Sequence, residues 1–174
     1  MKITDVKLRF AKHYLFVQVY TDAGIVGLGE AGNWGYLQAT AAAIEKFADY
    51  LIGKDPFRIE DFNQNFLRSV YFRGSVIMSA ISAIDIALWD IRSKVTKLPL
   101  YQLLGGYRES IPFYIAGGYY GPDKGIPELQ KEMEQYVSWG AKAVKMKVGA
   151  LSIKEDAARV KAVREVIGED VKLL

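Results

Sequence analysis

Between two stretches of helical periodicity, Gly140-Ala-Lys-Ala-Val-Lys-Met-Lys-Val-Gly149 reads as a strand with two lysines on one face. Successive strand side chains point to opposite faces. Val144, Met146 and Val148 therefore share one face, and Ala143, Lys145 and Lys147 share the other. Helices on both sides of the stretch imply a βαβ setting, where a parallel strand is covered on both faces and is apolar throughout. The lysines break that rule. Burying an ammonium costs several kcal/mol unless it is paired or gives up its proton, and a neighbouring like charge favours the loss. A lysine discharged in this way serves as a general base. A strand with one solvated face is the bland alternative. The flanking amphipathic helices weigh against it, as does the position of Lys147 at the carboxyl end, where βα units place their chemistry.

Upstream the pattern differs. Val6, Leu8 and Phe10 alternate, Tyr14 to Thr21 is rich in β-branched and aromatic residues, and Asp22-Ala-Gly24 turns the chain into Ile25 to Glu30. Short connections make this an antiparallel three-stranded meander. Leu37, Ala41, Ile44, Ala48 and Leu51 then fall at helical spacing, with Gly53 just past the end. Ile59, Phe62, Phe66 and Val70 line a second helix that stops near Gly74, and Met78, Ile81, Ile84, Leu88 and Ile91 stripe a third from about Val76 to Val95. Pro99 opens a short turn of helix closed by Gly105-Gly106. Beyond Arg108 strand and helix alternate: Ile111 to Ala116, Ile126 to Trp139, Ala143 to Val148, then a helix begun by the capping box Ser152-Ile-Lys-Glu155 and ended at Gly168. Val171 to Leu174 begins a last strand. The expected fold is an α+β domain over residues 1–108, followed over 109–174 by the first βαβαβ part of an incomplete barrel, because a barrel takes eight strands in its usual form.

The sequence has 174 residues, 51% hydrophobic and 25% charged, an ordinary globular composition. Zero cysteines exclude disulfides, thiolate metal sites and cysteine nucleophiles, and the single histidine, His13, excludes a two-histidine metal site. A net charge of +3 with scattered basic residues leaves no nucleic-acid footprint. No apolar run reaches the roughly 18 residues of a membrane span, and the amino terminus does not read as a signal peptide, so the cytoplasm is the expected location.

Several motifs carry competing readings. Gly27-Leu-Gly-Glu-Ala-Gly32 matches G-x-G-x-x-G. A dinucleotide fingerprint must leave a parallel strand and enter a helix at once. Here the strand belongs to a hairpin and Asn33-Trp-Gly-Tyr36 intervenes, so the glycines read as a strand end and loop. Trp34 and Tyr36 make that loop a candidate aromatic flap over a ligand. Tyr119, in Gly117-Gly-Tyr-Tyr-Gly-Pro122, is a second candidate, because the segment follows the first barrel strand. Asp85 and Asp90 diverge around their helix at a spacing of five, so structural hydrogen bonding or exposure is the stronger reading. His13 reads as a surface residue.

Taken together, Thr21-Asp-Ala-Gly-Ile-Val-Gly-Leu-Gly-Glu-Ala31, Met78-Ser-Ala-Ile-Ser-Ala-Ile-Asp-Ile-Ala-Leu-Trp-Asp90, Leu98-Pro-Leu-Tyr-Gln-Leu-Leu-Gly-Gly106 and the K-x-K element give the chain a family likeness. It resembles the mandelate racemase and muconate lactonizing family of the enolase superfamily, in its amino-terminal portion. The resemblance implies a capping domain over a modified (β/α)7β barrel and Mg2+-assisted removal of the proton α to a carboxylate. By the family pattern Lys147 matches the base, and Lys145 the lysine that eases its deprotonation and lies near the substrate carboxylate. The family's metal ligands end the third, fourth and fifth barrel strands. Metal ligands are thus expected beyond Leu174 and none within this chain, which is expected to be inactive alone because the enolate lacks a stabiliser.

Tyr71-Phe-Arg-Gly74 followed by Ser-Val-Ile-Met-Ser looks most like acid-sugar dehydratases, which makes β-elimination of water from a sugar acid the first expectation. Arg73 is a candidate substrate or interface residue, where a helix-end arginine is ordinarily a surface ion pair. Racemisation, epimerisation and cycloisomerisation use the same lysine pair and are the alternatives. A non-catalytic truncated chain or assembly subunit is the alternative of another class. Expected partners are a small carboxylate such as a sugar acid and, through the open barrel edges, a homo-oligomer or the remainder of the barrel, with no nucleic acid and no membrane.

Overall fold

The computed structural model describes residues 1–69, 71 and 73–174, and the chain divides into two compact units, Met1–Tyr107 and Arg108–Leu174. The first holds an antiparallel sheet of order β1-β2-β3, made by β1 (Ile3–Ala11), β2 (Tyr14–Thr21) and β3 (Val26–Ala31). Its helices are α1 (Leu37–Leu51), α2 (Ile59–Ser69), α3 (Ser75–Thr96) and the short α4 (Leu100–Leu103). Val70, expected on the apolar stripe of α2, and Phe72 lie outside the described residues.

Alternation decides which face of the sheet meets the helices. Leu15, Val17, Val19 and Thr21 of β2 are buried, and Ala31, Gly29 and Gly27 of β3 lie beside the first three in register. These two glycines explain the G-x-G motif. A Cβ built on Gly27 would stand 2.1 Å from the carbonyl oxygen of Ala87, and one on Gly29 1.9 Å from that of Ala83. The backbone of β3 therefore lies directly on α3, whose own surface there is made of small residues. Ala80, Ala83 and Ala87 are fully buried, with Ile84, Leu88 and Ile91 beside them.

Helix α3 also closes the open edge of β3, where unpaired backbone groups invite association. Asp90 Oδ2 accepts from the Leu28 amide at 2.8 Å, and Lys94 Nζ donates to the Val26 carbonyl at 2.7 Å and to Asp90 at 2.6 Å. Asp85 accepts from Asn63 Nδ2 at 2.8 Å. Both helix carboxylates thus serve structural bonds, with separate partners. One expected stripe residue is corrected: Met78 is 40% exposed, and Ile77, one residue back, packs on the core.

The second unit is a parallel sheet of order β4-β5-β6, with β4 (Ile115–Ala116), β5 (Ala143–Lys145) and β6 (Lys172–Leu173) joined by α5 (Ile126–Ser138) and α6 (Ile153–Ile167). Leu129, Met133, Val144, Met146, Val163 and Ile167 form its core. The strands are shorter than the expected Ile111–Ala116, Ala143–Val148 and Val171–Leu174. Ile111 and Phe113 are 75% and 71% exposed and reach no partner strand, so only the end of that apolar run is paired. The capping box forms as expected: Ser152 Oγ accepts from the Glu155 amide at 3.3 Å, and the Ser152 amide donates to Glu155 Oε2 at 3.0 Å. No described helix is long and apolar enough to cross a membrane.

Replacing Gly29 by alanine should lower the unfolding free energy by about 1–3 kcal/mol or more, because the added methyl overpacks against backbone that has no side chain to move. Gly32→Ala is the control, since its Cβ meets nothing within 4 Å, and it should stay within about 0.5 kcal/mol. Urea unfolding midpoints of both variants measure the difference; equal midpoints would contradict the packing assigned to Gly29.

Candidate active site

The lysine strand is pinned on both sides before its lysines are reached. Ala116 pairs with Lys145 in parallel register, the Gly117 amide donates to the Lys145 carbonyl at 2.8 Å, and the Met146 amide donates to the Leu174 carbonyl at 3.0 Å. Val144 and Met146 turn into the core, which leaves Lys145 and Lys147 together on the opposite side. Regular pairing ends at Lys145, so Lys147 stands just beyond the carboxyl end of β5.

Both lysines are half-buried, which corrects the expectation of a strand face wholly covered. What covers them is aromatic. Lys145 Nζ lies 5.4 Å from the centre of the Tyr114 ring, and Lys147 Nζ 5.4 Å from that of Tyr119. An ammonium over a ring face gains roughly 0.5–1 kcal/mol when exposed and more when desolvated. Among the described residues neither lysine forms an ion pair.

The loop carrying Tyr119 is held equally closely. Gly117 has no room for a side chain, since a Cβ there would lie 2.5 Å from the Tyr136 hydroxyl and 2.7 Å from Glu132 Oε1. Gly118 takes a φ of +61°, a left-handed conformation that glycine adopts without strain, and packs on Met146. Glu132 of α5 gathers this loop. It accepts from the Gly118 amide at 3.3 Å, from the Tyr136 hydroxyl at 2.8 Å and from Lys124 Nζ at 2.5 Å. Burial alone would push the Glu132 carboxyl up, but these hydrogen bonds and the Lys124 charge outweigh it and hold the group below the ordinary carboxylate value.

Asp156 of α6 does the same for the loop after β5. Its Oδ2 accepts from the Gly149 amide and its Oδ1 from the Tyr120 hydroxyl, each at 2.6 Å. The Tyr120 hydroxyl first, then the Gly149 amide, draw the Asp156 carboxyl below its ordinary value against the opposing effect of burial. Sequence reasoning missed Tyr114, Tyr120, Glu132, Asp156 and Arg159. One signal was available, because Asp156 directly follows the capping box at the start of a helix behind the lysine strand.

Of the sequence candidates, Lys145, Lys147 and Tyr119 come together in the second unit. Trp34, Tyr36 and Arg73 belong to the first. Trp34 and Tyr36 are 68% and 64% exposed, with the Trp34 ring 5.6 Å from that of His13. Arg73 is exposed just before Gly74, which caps α3. Among the described residues, no three of histidine, cysteine, aspartate and glutamate come together to hold a metal ion. The residues present therefore do not compose the Mg2+ site that the resemblance implies.

The family model described as the mandelate racemase / muconate lactonizing enzyme N-terminal domain matches residues 4–105, and that described as enolase C-terminal domain-like matches residues 128–174. The arabinonate dehydratase of Saccharolobus solfataricus is 39% identical over 159 residues, covering 90% of this chain and 43% of that protein. The D-galactonate dehydratase of Pectobacterium atrosepticum is 42% identical over 137 residues, covering 77% and 36% respectively. This chain thus spans less than half the length of these relatives. Among solved structures, the 3,6-anhydro-D-galactonate cycloisomerase of Zobellia galactanivorans superposes with a TM-score of 0.89 at 35% identity, over 100% of this chain and 50% of that one.

The bond between Tyr136 and Glu132 should be visible in alkali. Burial first, then the hydrogen bond and charge of Glu132, raise the Tyr136 phenol from 10.0 to about 12. A raised phenol stabilises the fold fully below the unfolded value of 10.0 and loses that contribution as the pH climbs towards about 12. The phenols of Tyr50 and Tyr120 are also raised, so ultraviolet titration of phenolate should show several late steps, one of which disappears in Tyr136→Phe. Late steps left unchanged in that variant would disprove the assignment.

Proposed function

The chain belongs to the mandelate racemase and muconate lactonizing enzyme family of the enolase superfamily, and from that membership we propose that it carries the catalytic base of a sugar-acid dehydratase. The observation that carries the reading is the pair of lysines at the carboxyl end of β5, on one side of the chain, each with its ammonium over a tyrosine ring.

In this reading Lys147 Nζ, as the free amine, accepts the proton from the carbon α to the substrate carboxylate. The electron pair left on that carbon forms the new double bond, the β-hydroxyl departs as water after taking up a proton from solvent, and Lys147 returns its proton to solvent. The net change is loss of one water and formation of an enol that tautomerises to a ketone. Lys145, two residues back on the same side, keeps its proton and faces the carboxylate. Two adjacent ammonium groups attract an anion. Tyr119 offers a ring face and a hydroxyl to the polyol chain. Trp34, Tyr36 and Arg73, exposed on the first unit, are carried as candidate substrate contacts by the family resemblance.

Dehydration is the first choice because two curated relatives, 39% and 42% identical, bear the names arabinonate dehydratase and D-galactonate dehydratase. Cycloisomerisation is the second, supported by the likeness to the Zobellia enzyme. Mg2+ is carried in the proposal as a family property, with its ligands outside the described residues.

The test is a chimera in which this chain replaces the matching part of the Saccharolobus solfataricus relative. The chimera should dehydrate arabinonate or galactonate, and Lys147→Ala should lower kcat by about 10²–10⁴-fold, the ordinary contribution of a general base. The 174-residue chain alone should turn over neither acid. A chimera that stays fully active as Lys147→Ala would rule out the proposed base, and a cyclic isomer as product would favour the second reaction.

A further inference from the structure

Asp156 and Arg159 are the two buried charged residues among the described residues, at 8% and 4% exposure, and the chemistry proposed above uses neither. Burying an ion costs several kcal/mol unless its partners are well placed. As a pair they are poorly matched. Arg159 Nε stands 3.7 Å from Asp156 Oδ1, too far for a hydrogen bond, and has no hydrogen-bond partner among the described residues. Their good contacts go elsewhere, to the two loops at the carboxyl ends of β4 and β5. Arg159 Nη2 donates to the Gly118 carbonyl at 3.0 Å, and its guanidinium stacks 4.3 Å from the centre of the Tyr120 ring. Asp156 accepts from the Tyr120 hydroxyl with one oxygen and from the Gly149 amide with the other. The Ala150 amide completes the circuit by donating to the Tyr120 hydroxyl at 3.3 Å.

We propose that Asp156, through Tyr120 and Gly149, is the positioning residue that sets Lys147 over Tyr119. The anchored residues bracket the contact. Tyr120 follows Tyr119 directly, and Gly149 lies two residues after Lys147. Gly149 has a φ of +103°, so the chain turns sharply there, and its amide meets the carboxylate. Fixing these points leaves the Tyr119 ring and the Lys147 backbone little freedom relative to each other. Lys145 does not depend on the clamp. It lies within the paired strand, and its ring partner Tyr114 precedes β4. The inference deepens the reading of Lys147 as the base, since a base must stay within hydrogen-bond reach of the proton it takes.

The two lysines give an internal comparison in nuclear magnetic resonance of the 174-residue chain labelled with 13C-lysine. The Lys147 ε-methylene signal, assigned through its loss in Lys147→Arg, should carry a ring-current shift from Tyr119. Asp156→Ala should move it at least halfway to the position of a free lysine and speed Gly149 amide exchange by about 10-fold or more, the range of a lost hydrogen bond to a charged group. The Lys145 ε-methylene and the Leu129 and Met133 methyl signals should hold still. If Lys147 keeps its shift while the Gly149 amide is freed, or if both lysines and the core signals move together, Asp156 is merely structural and the proposal is overturned. Should Asp156→Ala fail to fold, Tyr120→Phe, which removes one hydroxyl, decides by the same readout. A chimera indifferent to Lys147→Ala would remove the base reading while leaving this positioning result intact, and the reverse outcome would separate them equally well.

Discussion

The contact of β3 with α3 is the constraint on which the first unit rests. Sheet and helix normally pack through their apolar side chains. Here Gly27 and Gly29 remove the side chains from one partner, and Ala83 and Ala87 reduce them on the other, so backbone meets backbone. Such an approach leaves no freedom in register. Once Gly29 sits on Ala83, Leu28 must point away and its amide must face outward at the sheet edge, which is where Asp90 receives it. One turn later Lys94 meets the Val26 carbonyl and pairs with Asp90. Small residues set the distance, and the two charged residues then satisfy the backbone groups that the distance exposes.

The second unit solves a different problem by a repeated device. Its strands are two or three residues long, too short for the ladder alone to fix the loops that follow them. Each loop is instead held by a carboxylate from the helix that comes next: Glu132 takes the Gly118 amide after β4, and Asp156 takes the Gly149 amide after β5. An amide bonded to a carboxylate is a stronger restraint than one bonded to a carbonyl. Arg159 then ties α6 to the loop after β4 by its bond to Gly118, and Asp156 joins the two loops through Tyr120 and Gly149.

What the sequence made legible follows from this division. The meander, α1, α3, the capping box and the shared face of Lys145 and Lys147 depend on local periodicity or turn chemistry, and these were read correctly. The glycines of β3 were recognised as no nucleotide loop, because the hairpin context excluded it, but their purpose lies in a helix more than fifty residues away. Periodicity in one segment carries no information about such a contact. The same holds for Asp156, whose partners Tyr120 and Gly149 lie in two other segments. Strand lengths were overestimated because apolar alternation continues past the point where a partner strand exists to pair with it.

The distribution of charge ties these observations to the lysines. Asp85, Asp90, Glu132 and Asp156 are each engaged by amides, hydroxyls or other side chains that hold the structure together. Among the described residues Lys145 and Lys147 lie over tyrosine rings and form no ion pair. A ring attracts an ammonium, but it does not cancel its charge. Two uncompensated cations side by side at a strand end raise the local potential and favour an anion there. A bound carboxylate would relieve that repulsion, so the same arrangement that is unfavourable in the free chain becomes favourable on binding. Within the second unit, Glu132 and Asp156 hold the loops and pair with Lys124 and Arg159 rather than with Lys145 or Lys147.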